Sequence, residues 1–407
     1  MEKIIIEMTS LATIAIVAFG ILLSLTQTPF PRVRLSFAAF LAAVAANNLS
    51  TGLTPLLEAL GTLHVVEVDL VLGLATSLCL APLFWIYVVA VTSSTDHGMT
   101  TRLLHFALPG LAAMAGFLVL IAPRSVRDVL FAEGMLPASP YHSTLIILLV
   151  LLHLAIYPQM AIYLILIVKR MHNYRKMLRD LYASTERHEL RWMYSIAVLG
   201  GVFWFANAAI VFVSASPSPS DASFAFTTLS GLTGLGLATA TTLWGLRQQP
   251  PLMSDQSSGD MGPVTRVKPT NAVSPKYEKS ALSNETTARL SRKLRKSMEV
   301  DHLHRDPNLS LWTLSRHIGA SPNYISQTLN EEIKETFFDF VNGYRISDAK
   351  DLLERTDQTV LQIAYEVGFN ARSSFYNSFK RRTGVTPTQY RHSLSDPSGM
   401  DDAIASN

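Results

Sequence analysis

The sequence predicts an all-α protein in two parts. Before residue 247, several windows approach or exceed the roughly 20 apolar residues that a helix needs to cross a bilayer. After residue 277, apolar residues recur at helical spacing between capping and stop signals. Only 16% of the chain is charged, and these residues are sparse before Lys169 and dense after Lys276. We therefore expect a membrane bundle at residues 1–247, followed by a helical domain at residues 277–394.

Composition excludes several classes of protein. The 407 residues suffice for two or three domains. A net charge of +3 does not by itself argue for a nucleic-acid partner. The single cysteine, Cys79, permits neither an intrachain disulfide nor a multi-cysteine zinc site. Without a Walker loop, an H-E-x-x-H run or a nucleophile elbow, the sequence predicts no enzyme, no cofactor and no metal.

Seven apolar windows predict a seven-helix transmembrane bundle. They are about 4–26, 35–57, 68–92, 103–122, 143–168, 193–214 and 223–246. The second window is the weakest, because Asn47 and Asn48 interrupt it. The first is expected to be a retained helix rather than a signal peptide, since Glu2 and Glu7 are acidic and no clean cleavage site follows.

Lysine and arginine are concentrated in alternate loops, which predicts the orientation of the bundle. Arg32 and Arg34 follow the first window, Arg102 follows the third, and a basic run from Lys169 to Arg191 follows the fifth. The bias places the N-terminus outside and the C-terminus in the cytoplasm, as in a multi-pass protein of a bacterial inner membrane. The basic run is predicted to extend the fifth helix or to form a surface helix contacting anionic lipid. Docking of the C-terminal domain is the alternative.

Two further features concern regulation. Residues 248–276 carry five prolines among serine and glycine, which is typical of a disordered tether spanning roughly 30 Å; residues 395–407 are predicted to be a disordered tail. Within the bundle, Asn47, Asn48, His64 and Glu67 form a candidate polar cluster for sensing, because polar residues at membrane depth are often functional. Contact with interfacial water or hydrogen bonding across helices is the simpler interpretation.

The C-terminal domain contains two predicted pairs of helices. In the first pair, Ser310 caps a helix that Gly319 ends, and Ser321 with Pro322 begins the next. In the second pair, Thr359 and Gln362 form a capping box, Gly368 ends the helix, and Asn370 is the expected N-cap of the next. A long helix, 337–353, joins the two. This spacing is that of helix-turn-helix motifs, whose second helix enters the DNA major groove.

The second pair resembles the AraC/XylS family of bacterial transcription regulators. The residues that carry the resemblance are Ile363, Ala364, Val367, Gly368, Phe369, Ser373, Phe375, Phe379, Lys380, Gly384, Thr386, Pro387, Tyr390 and Arg391. The runs S-P-N-Y-I-S-Q-T-L-N-E and F-x-D-F-V-N-x-Y-R-I resemble the same family. The resemblance implies two recognition helices entering successive major grooves of double-stranded DNA, about 34 Å apart.

The family's roles carry over to named side chains. Base-edge candidates are Asn323, Ser326 and Gln327 in the first recognition helix, and Arg372, Ser373, Tyr376 and Asn377 in the second. Phosphate candidates are Lys380, Arg381, Arg382 and Arg391. Arginine suits guanine, and glutamine or asparagine suits adenine, while phosphate contacts position the protein on DNA.

These patterns predict a membrane-embedded transcription regulator, in which a bundle replaces the soluble sensor domain usual in the family. Three routes of regulation are open: a small molecule binding at the polar cluster, homodimerisation of the bundle through its glycine-rich faces, and proteolytic release of the tail. A transporter or membrane enzyme with a regulatory tail is the alternative, because the second, fifth and seventh windows contain glycine, proline or polar breaks. A bundle that only anchors is another.

Overall fold

The protein is mostly helical in the residues that its computed structural model describes. These are residues 2–26, 30–53, 55–56, 72–93, 103–122, 140–185, 190–214, 222–247 and 284–395. Within those ranges no β-strand forms. Tyr182 and Ser310 form an isolated antiparallel β-bridge. The chain divides into two compact units, Met1–Met171 with Leu190–Ser254, and His172–Glu189 with Asp255–Asn407.

The first unit is built from long apolar helices. They are α1 (Glu2–Thr26), α2 (Pro31–Asn47), the short α3 (Leu49–Gly52), α4 (Leu74–Thr92), α5 (Ala107–Ile121) after a 3-10 turn (Leu104–Phe106), α6 (Pro140–Leu181), α7 (Arg191–Ser214) and α8 (Ala222–Arg247). Within the described residues, four helical stretches are long and apolar enough to cross a membrane: Ile4–Thr26, Leu74–Thr92, Leu104–Ile121 and Ser143–Leu181.

Close helix packing and an apolar exterior characterise this unit. Helix α1 packs against α2 and α8, and a Cβ added at Gly231 of α8 would lie 2.9 Å from the Thr9 hydroxyl oxygen of α1. Small residues therefore permit the close approach of these helices. The outward faces carry large exposed apolar side chains such as Phe19, Leu22 and Phe205.

The structure extends the expected fifth helix. The window 143–168 belongs to α6, a single helix of 42 residues that includes Pro158 and runs on to Leu181. At about 1.5 Å per residue, such a helix is about 60 Å long. The basic segment thus takes the first of the two forms expected, a helical extension, as far as Leu181. The tether at 248–276 and most of the tail lie outside the described residues.

The second unit comprises two helix-turn-helix motifs around one long helix. Its helices are α9 (Asn284–Glu299), α10 (Leu311–Ile318), α11 (Pro322–Thr328), α12 (Phe337–Arg355), α13 (Val360–Glu366), α14 (Arg372–Thr383) and α15 (Pro387–Ser395), with a 3-10 turn (Leu303–Arg305) before α10 and a π-helical turn (Leu329–Ile333) after α11.

Helix α12 contributes to two separate cores. Its first half, including Phe337 and Val341, packs with α9, α10 and α11. Its second half, including Ile346, Ala349 and Leu353, packs with α13 and α14. One rigid helix therefore carries both motifs.

Candidate nucleic-acid interface

Local capping builds the first motif as the sequence predicts. The Thr313 N–H donates to Ser310 Oγ at 3.2 Å, at the start of α10. Gly319 ends that helix with a φ of 71°, a left-handed conformation that glycine adopts without steric cost. The Tyr324 N–H then donates to Ser321 Oγ at 3.3 Å and begins α11. These bonds satisfy orphan donors at the helix ends and fix the turn between α10 and α11.

The polar side chains on the outer face of α11 differ in their exposure to solvent. Asn323 is exposed, and Tyr324, which the sequence interpretation did not include as a candidate, is 43% exposed beside it. Ser326 and Gln327 are half-buried. The Gln327 amide donates to Glu331 at 2.9 Å. This bond uses one of the two N–H groups of the Gln327 amide and fixes the orientation of the side chain.

The second motif has the expected capping box but a different N-cap on its recognition helix. Thr359 and Gln362 bond reciprocally at the start of α13. The predicted N-cap of α14, Asn370, is wrong: the N-cap is Ala371, which makes no side-chain cap bond. The Asn370 amide instead donates to the Pro307 carbonyl at 2.8 Å, because the loop before α10 packs against this turn. The residue thus joins the two motifs rather than capping a helix.

Helix α14 presents an arginine–tyrosine pair. The Arg372 guanidinium lies 5.0 Å from the Tyr376 ring centre and donates to the Tyr376 hydroxyl at 3.4 Å. That hydroxyl also lies 3.4 Å from Thr388 Oγ1 of α15. The hydrogen bond to Thr388, with that from Arg372, lowers the pKa of Tyr376 from its ordinary value. Ser373 and Asn377 are exposed on the same helix.

The four phosphate candidates have different surroundings. Lys380 is exposed. Arg381 pairs with the Asp339 carboxylate at 2.6 Å, and Arg382 with Glu335 at 3.4 Å, although both guanidinium side chains remain about half exposed. These pairs join the end of α14 to the start of α12. Arg391 is half-buried and donates to the Thr356 carbonyl at 3.4 Å.

Arg345 is the polar centre of the domain and is fully buried. Its Nε donates to the His304 carbonyl at 2.6 Å, and Nη2 donates to the Asp306 carbonyl at 2.8 Å. Its Nη1 reaches the Ser184 hydroxyl at 3.0 Å and the Asn342 side-chain oxygen at 3.2 Å. A buried guanidinium is tolerated where its donors are satisfied in this way. Arg345 therefore fixes the loop before α10 on helix α12.

Next to it, a buried histidine is paired with a carboxylate. His304 Nε2 lies 2.9 Å from Asp348 Oδ2, and Arg305 lies 2.7 Å from the same oxygen. Burial lowers the pKa of His304, against the opposing effect of Asp348. Burial raises the pKa of Asp348, but the hydrogen bonds from His304 and Arg305 outweigh it and hold that pKa below its ordinary value.

The candidate sensing residues are only partly within the described structure. His64 and Glu67 lie outside it. Asn47 and Asn48 line a cavity of about 370 Å³ in the first unit. Asn47 Oδ1 accepts a bond from Ser77 at 2.6 Å, and the Asn48 amide donates to the Val44 carbonyl at 2.9 Å. Both asparagines are thus bonded within the bundle, which leaves a largely apolar space edged by hydroxyl groups such as those of Ser10 and Ser230.

Comparison with known proteins gives a family match within the second unit. Residues 314–393 match the family described as a helix-turn-helix domain, which is of the AraC type. An uncharacterized HTH-type transcriptional regulator of Staphylococcus aureus (strain COL) is 41% identical over 90 residues, covering 22% of this chain and 12% of that protein. The uncharacterized HTH-type transcriptional regulator YtdP of Bacillus subtilis (strain 168) is 32% identical over 94 residues, covering 23% of this chain and 12% of that protein.

A solved structure is also similar to part of the chain. The C-terminal domain of AraT, a response regulator from Geobacillus stearothermophilus, shares 28% identity and covers 26% of this chain and 88% of its own, with a TM-score of 0.24. The chain spans about an eighth of the length of the curated relatives it matches (12% of each). The match to the helix-turn-helix family covers residues 314–393, and the rest of the chain is interpreted from its own residues.

Proposed function

We propose that this protein is a membrane-embedded transcription regulator that binds double-stranded DNA sequence-specifically. The observation that carries the proposal is the pair of helix-turn-helix motifs on one shared helix, α12, each presenting polar side chains on its second helix. This is the arrangement that places recognition helices in the major groove. Similarity to HTH-type transcriptional regulators supports the same role.

In this proposal α14 supplies the sharper base recognition. Arg372 is exposed and lies against Tyr376, so its guanidinium is partly ordered before it pairs with a guanine edge. Asn377, exposed one turn along, suits adenine. From α11, Asn323 reads a base edge directly. Ser326 and Gln327 are each bonded to a side chain of the following π-helical turn and keep a second hydrogen-bonding group for a base.

Phosphate contacts are proposed for Lys380, Arg381, Arg382 and Arg391. Lys380 is the most direct candidate, because it is exposed. Arg381 and Arg382 retain free edges for a phosphate while their carboxylate partners hold them in place. These contacts add affinity and register without adding sequence preference.

Membrane insertion is proposed for residues 1–247. Helices of the first unit expose large apolar side chains, and among the described residues four stretches are long and apolar enough to span a bilayer. A helix that is apolar on all sides requires an apolar environment. The loop charges favour an inner-membrane orientation with the N-terminus outside and residues 277–394 in the cytoplasm, beyond the tether 248–276.

Sensing is proposed to use the 370 Å³ cavity. Its size suits a small, mostly apolar molecule, and its walls come from six helices of the unit, α1, α2, α4, α6, α7 and α8. A ligand there would favour one arrangement of the bundle only if it binds two arrangements unequally. Enlarging a wall residue, Gly234→Leu, should fill the space and abolish induction, whereas a bundle that only anchors would leave reporter output unchanged.

The deciding experiment is DNA crosslinking and recovery in cells that express the full-length protein. It is run beside the double variant Arg372→Ala with Asn377→Ala, and beside Ser347→Ala, an exposed position on α12, as a matched control. Discrete genomic sites that disappear only in the double variant are the expected result. Recovery of the same fragments with all three proteins would show that neither side chain reads DNA and would overturn the assignment of α14.

A further inference from the structure

The end of helix α6 is a structural part of the DNA-binding unit. Residues 172–189 group with residues 255–407 rather than with the rest of the apolar helices. The backbone leaves α6 at Leu181 and pairs with the start of α10: the Ala183 N–H donates to the Leu309 carbonyl at 3.1 Å. The pairing continues as the antiparallel bridge between Tyr182 and Ser310. The contact thus falls beside the residue that caps the first motif.

Side chains bury this contact from both sides. Tyr182 is 3% exposed and packs edge-on against Trp312 at 5.7 Å. Ala183 is 1% exposed and belongs to the same apolar core as Leu294 and Leu314. One turn earlier, the Arg179 guanidinium lies 5.5 Å from the ring centre of Phe338. The segment is therefore built into the first core rather than resting on its surface.

Polar bonds from α12 make the contact specific. The Asn342 amide donates to the Ala183 carbonyl at 3.1 Å, and Arg345 Nη1 donates to that carbonyl at 3.4 Å and to Ser184 Oγ at 3.0 Å. Without this segment, two fully buried polar side chains would lose partners. Buried donors without acceptors are costly, so the domain requires the segment to satisfy them.

The contact is selective for one motif. Its partners are Leu309, Ser310 and Trp312 at the start of the first motif, and the first half of α12. The second core, formed by α13, α14 and the second half of α12, includes none of residues 172–185. With the segment in place, Asn323 and Tyr324 of the first recognition helix remain exposed. The segment therefore supports the first motif without covering its recognition face.

We propose that residues 179–185, hereafter the dock, couple helix α6 to the first helix-turn-helix motif, so that displacement of α6 loosens this motif and leaves the second intact. The inference rests on the proposed function, because it assigns the apolar bundle a route of action on DNA binding. A bundle that shifts α6 would change recognition at one half of the site. The transmitted signal is mechanical and requires no additional domain.

Hydrogen exchange of the full-length protein in lipid nanodiscs tests the coupling. The variant Ala183→Glu places a charge in the first core, and Asn173→Glu adds the same charge at an exposed position of α6 as the control. We expect Ala183→Glu to speed exchange in α9 and α10 at least tenfold, with less than a twofold change in α13 and α14. Unchanged exchange in α10, or equal acceleration in both motifs, would overturn the proposal.

A disulfide provides a second test, which reports directly whether the two segments are adjacent. Bridged antiparallel residues have Cα atoms about 4.5–5.5 Å apart, within the range that a disulfide spans. Tyr182→Cys with Ser310→Cys, in a Cys79→Ser background, should crosslink on oxidation of isolated membranes. Tyr182→Cys with Gln389→Cys on exposed α15 should not. Equal yields, or none in the first pair, would contradict the dock.

Footprinting on recovered promoter DNA links the dock to recognition. Ala183→Glu is expected to lose protection at the half-site of the first motif and to keep it at the other. Failure of the wild-type protein to protect any DNA would refute the proposed function, while the exchange and crosslinking results would still decide the dock. Loss of both half-sites together with an intact second core would refute selectivity.

Discussion

Replacing Arg345 by methionine tests how far one buried side chain holds the DNA-binding unit together. Methionine preserves much of the apolar volume of the arginine side chain and removes all of its hydrogen-bond donors. Five acceptors then lose a partner: the carbonyl oxygens of His304, Ala183 and Asp306, and the side-chain oxygens of Ser184 and Asn342. We expect the domain to lose about 3–4 kcal/mol of stability.

The magnitude follows from the individual contacts. Each buried acceptor left unsatisfied costs about 1–3 kcal/mol, and five would sum to more than the expected loss. Asp306 is exposed, so water can replace its partner, and the bond to Ala183 is already long at 3.4 Å. The methionine also adds buried apolar surface, at about 25 cal/mol per Å². The remainder corresponds to about two or three buried acceptors left without a donor, or about 3–4 kcal/mol.

Native-state hydrogen exchange is the appropriate assay, since it measures opening of the domain inside the full-length protein. At about 1.4 kcal/mol per tenfold change, amides of α10 and α12 should exchange about a hundredfold to several-hundredfold faster in Arg345→Met. Arg345→Lys, with three donors on one nitrogen, should fall between. Ser347→Ala, exposed on the same helix, is the control. An acceleration below threefold in the methionine variant would refute the role assigned to Arg345.

Four further predictions concern DNA binding and stability. Arg372→Ala should cost about 1–3 kcal/mol at one base pair and relax specificity there, measured by binding curves on operator variants. Arg381→Ala should weaken all sequences alike and reduce the salt slope by about one, measured by titration at several salt concentrations. Gly368→Ala should destabilise the second motif by about 1–3 kcal/mol, measured by exchange in α13, because its φ is 97° and a Cβ would lie 2.7 Å from the Arg305 carbonyl oxygen. In His304→Gln, the melting temperature should fall less than in the wild-type protein as the pH is lowered. Tryptophan fluorescence measures this melting temperature. Because burial lowers the folded pKa of His304, its contribution is complete above the unfolded value of 6.5 and is lost as pH falls through the lower folded value.

Each of these four has a contrary outcome. A uniform loss across operator variants would contradict base reading by Arg372, and a base-specific loss would contradict the phosphate role of Arg381. Arg381 also pairs with Asp339. The control is therefore Asp339→Asn, which removes the same contact between helices and leaves the positive charge of Arg381 in place. Normal exchange in Gly368→Ala would mean that the turn can move away from Arg305. If the melting temperature of His304→Gln depends on pH as that of the wild-type protein does, groups other than His304 cause the loss of stability in acid.

Local signals in the sequence predicted local structure well. The caps at Ser310, Ser321 and Thr359 and the stop at Gly319 are present as expected, because each depends on residues within one turn of it. The residues of the two cores could be predicted for a similar reason. Phe375 and Phe379, for example, lie four residues apart and therefore on one face of a helix. The helix-turn-helix motifs therefore followed from spacing alone.

Contacts between distant parts of the chain were not predictable in this way. The bond from Asn342 to Ala183 joins residues 159 apart, and helical periodicity carries no information about such a partner. Asn370 has a typical N-cap residue type, yet its amide bonds Pro307 across the domain. One signal was available: Arg345 lies between the apolar positions Val341 and Ile346 of α12, where a charged side chain must either be exposed or find partners. Its partners turned out to include the segment after α6.

The dock has a consequence for any protease that cuts between Arg247 and Asn284. The freed C-terminal fragment would still hold Ala183 and Ser184 through Asn342 and Arg345, so severing the covalent connection does not by itself free the domain. Cleavage instead turns a unimolecular association into a bimolecular one, removing the high effective concentration that a short connection provides. A fragment that departs leaves the dock behind, including the four buried residues 182–185, and exposes the part of the first core that packed against them. Release of the domain would then require dissociation of the dock as well as proteolysis.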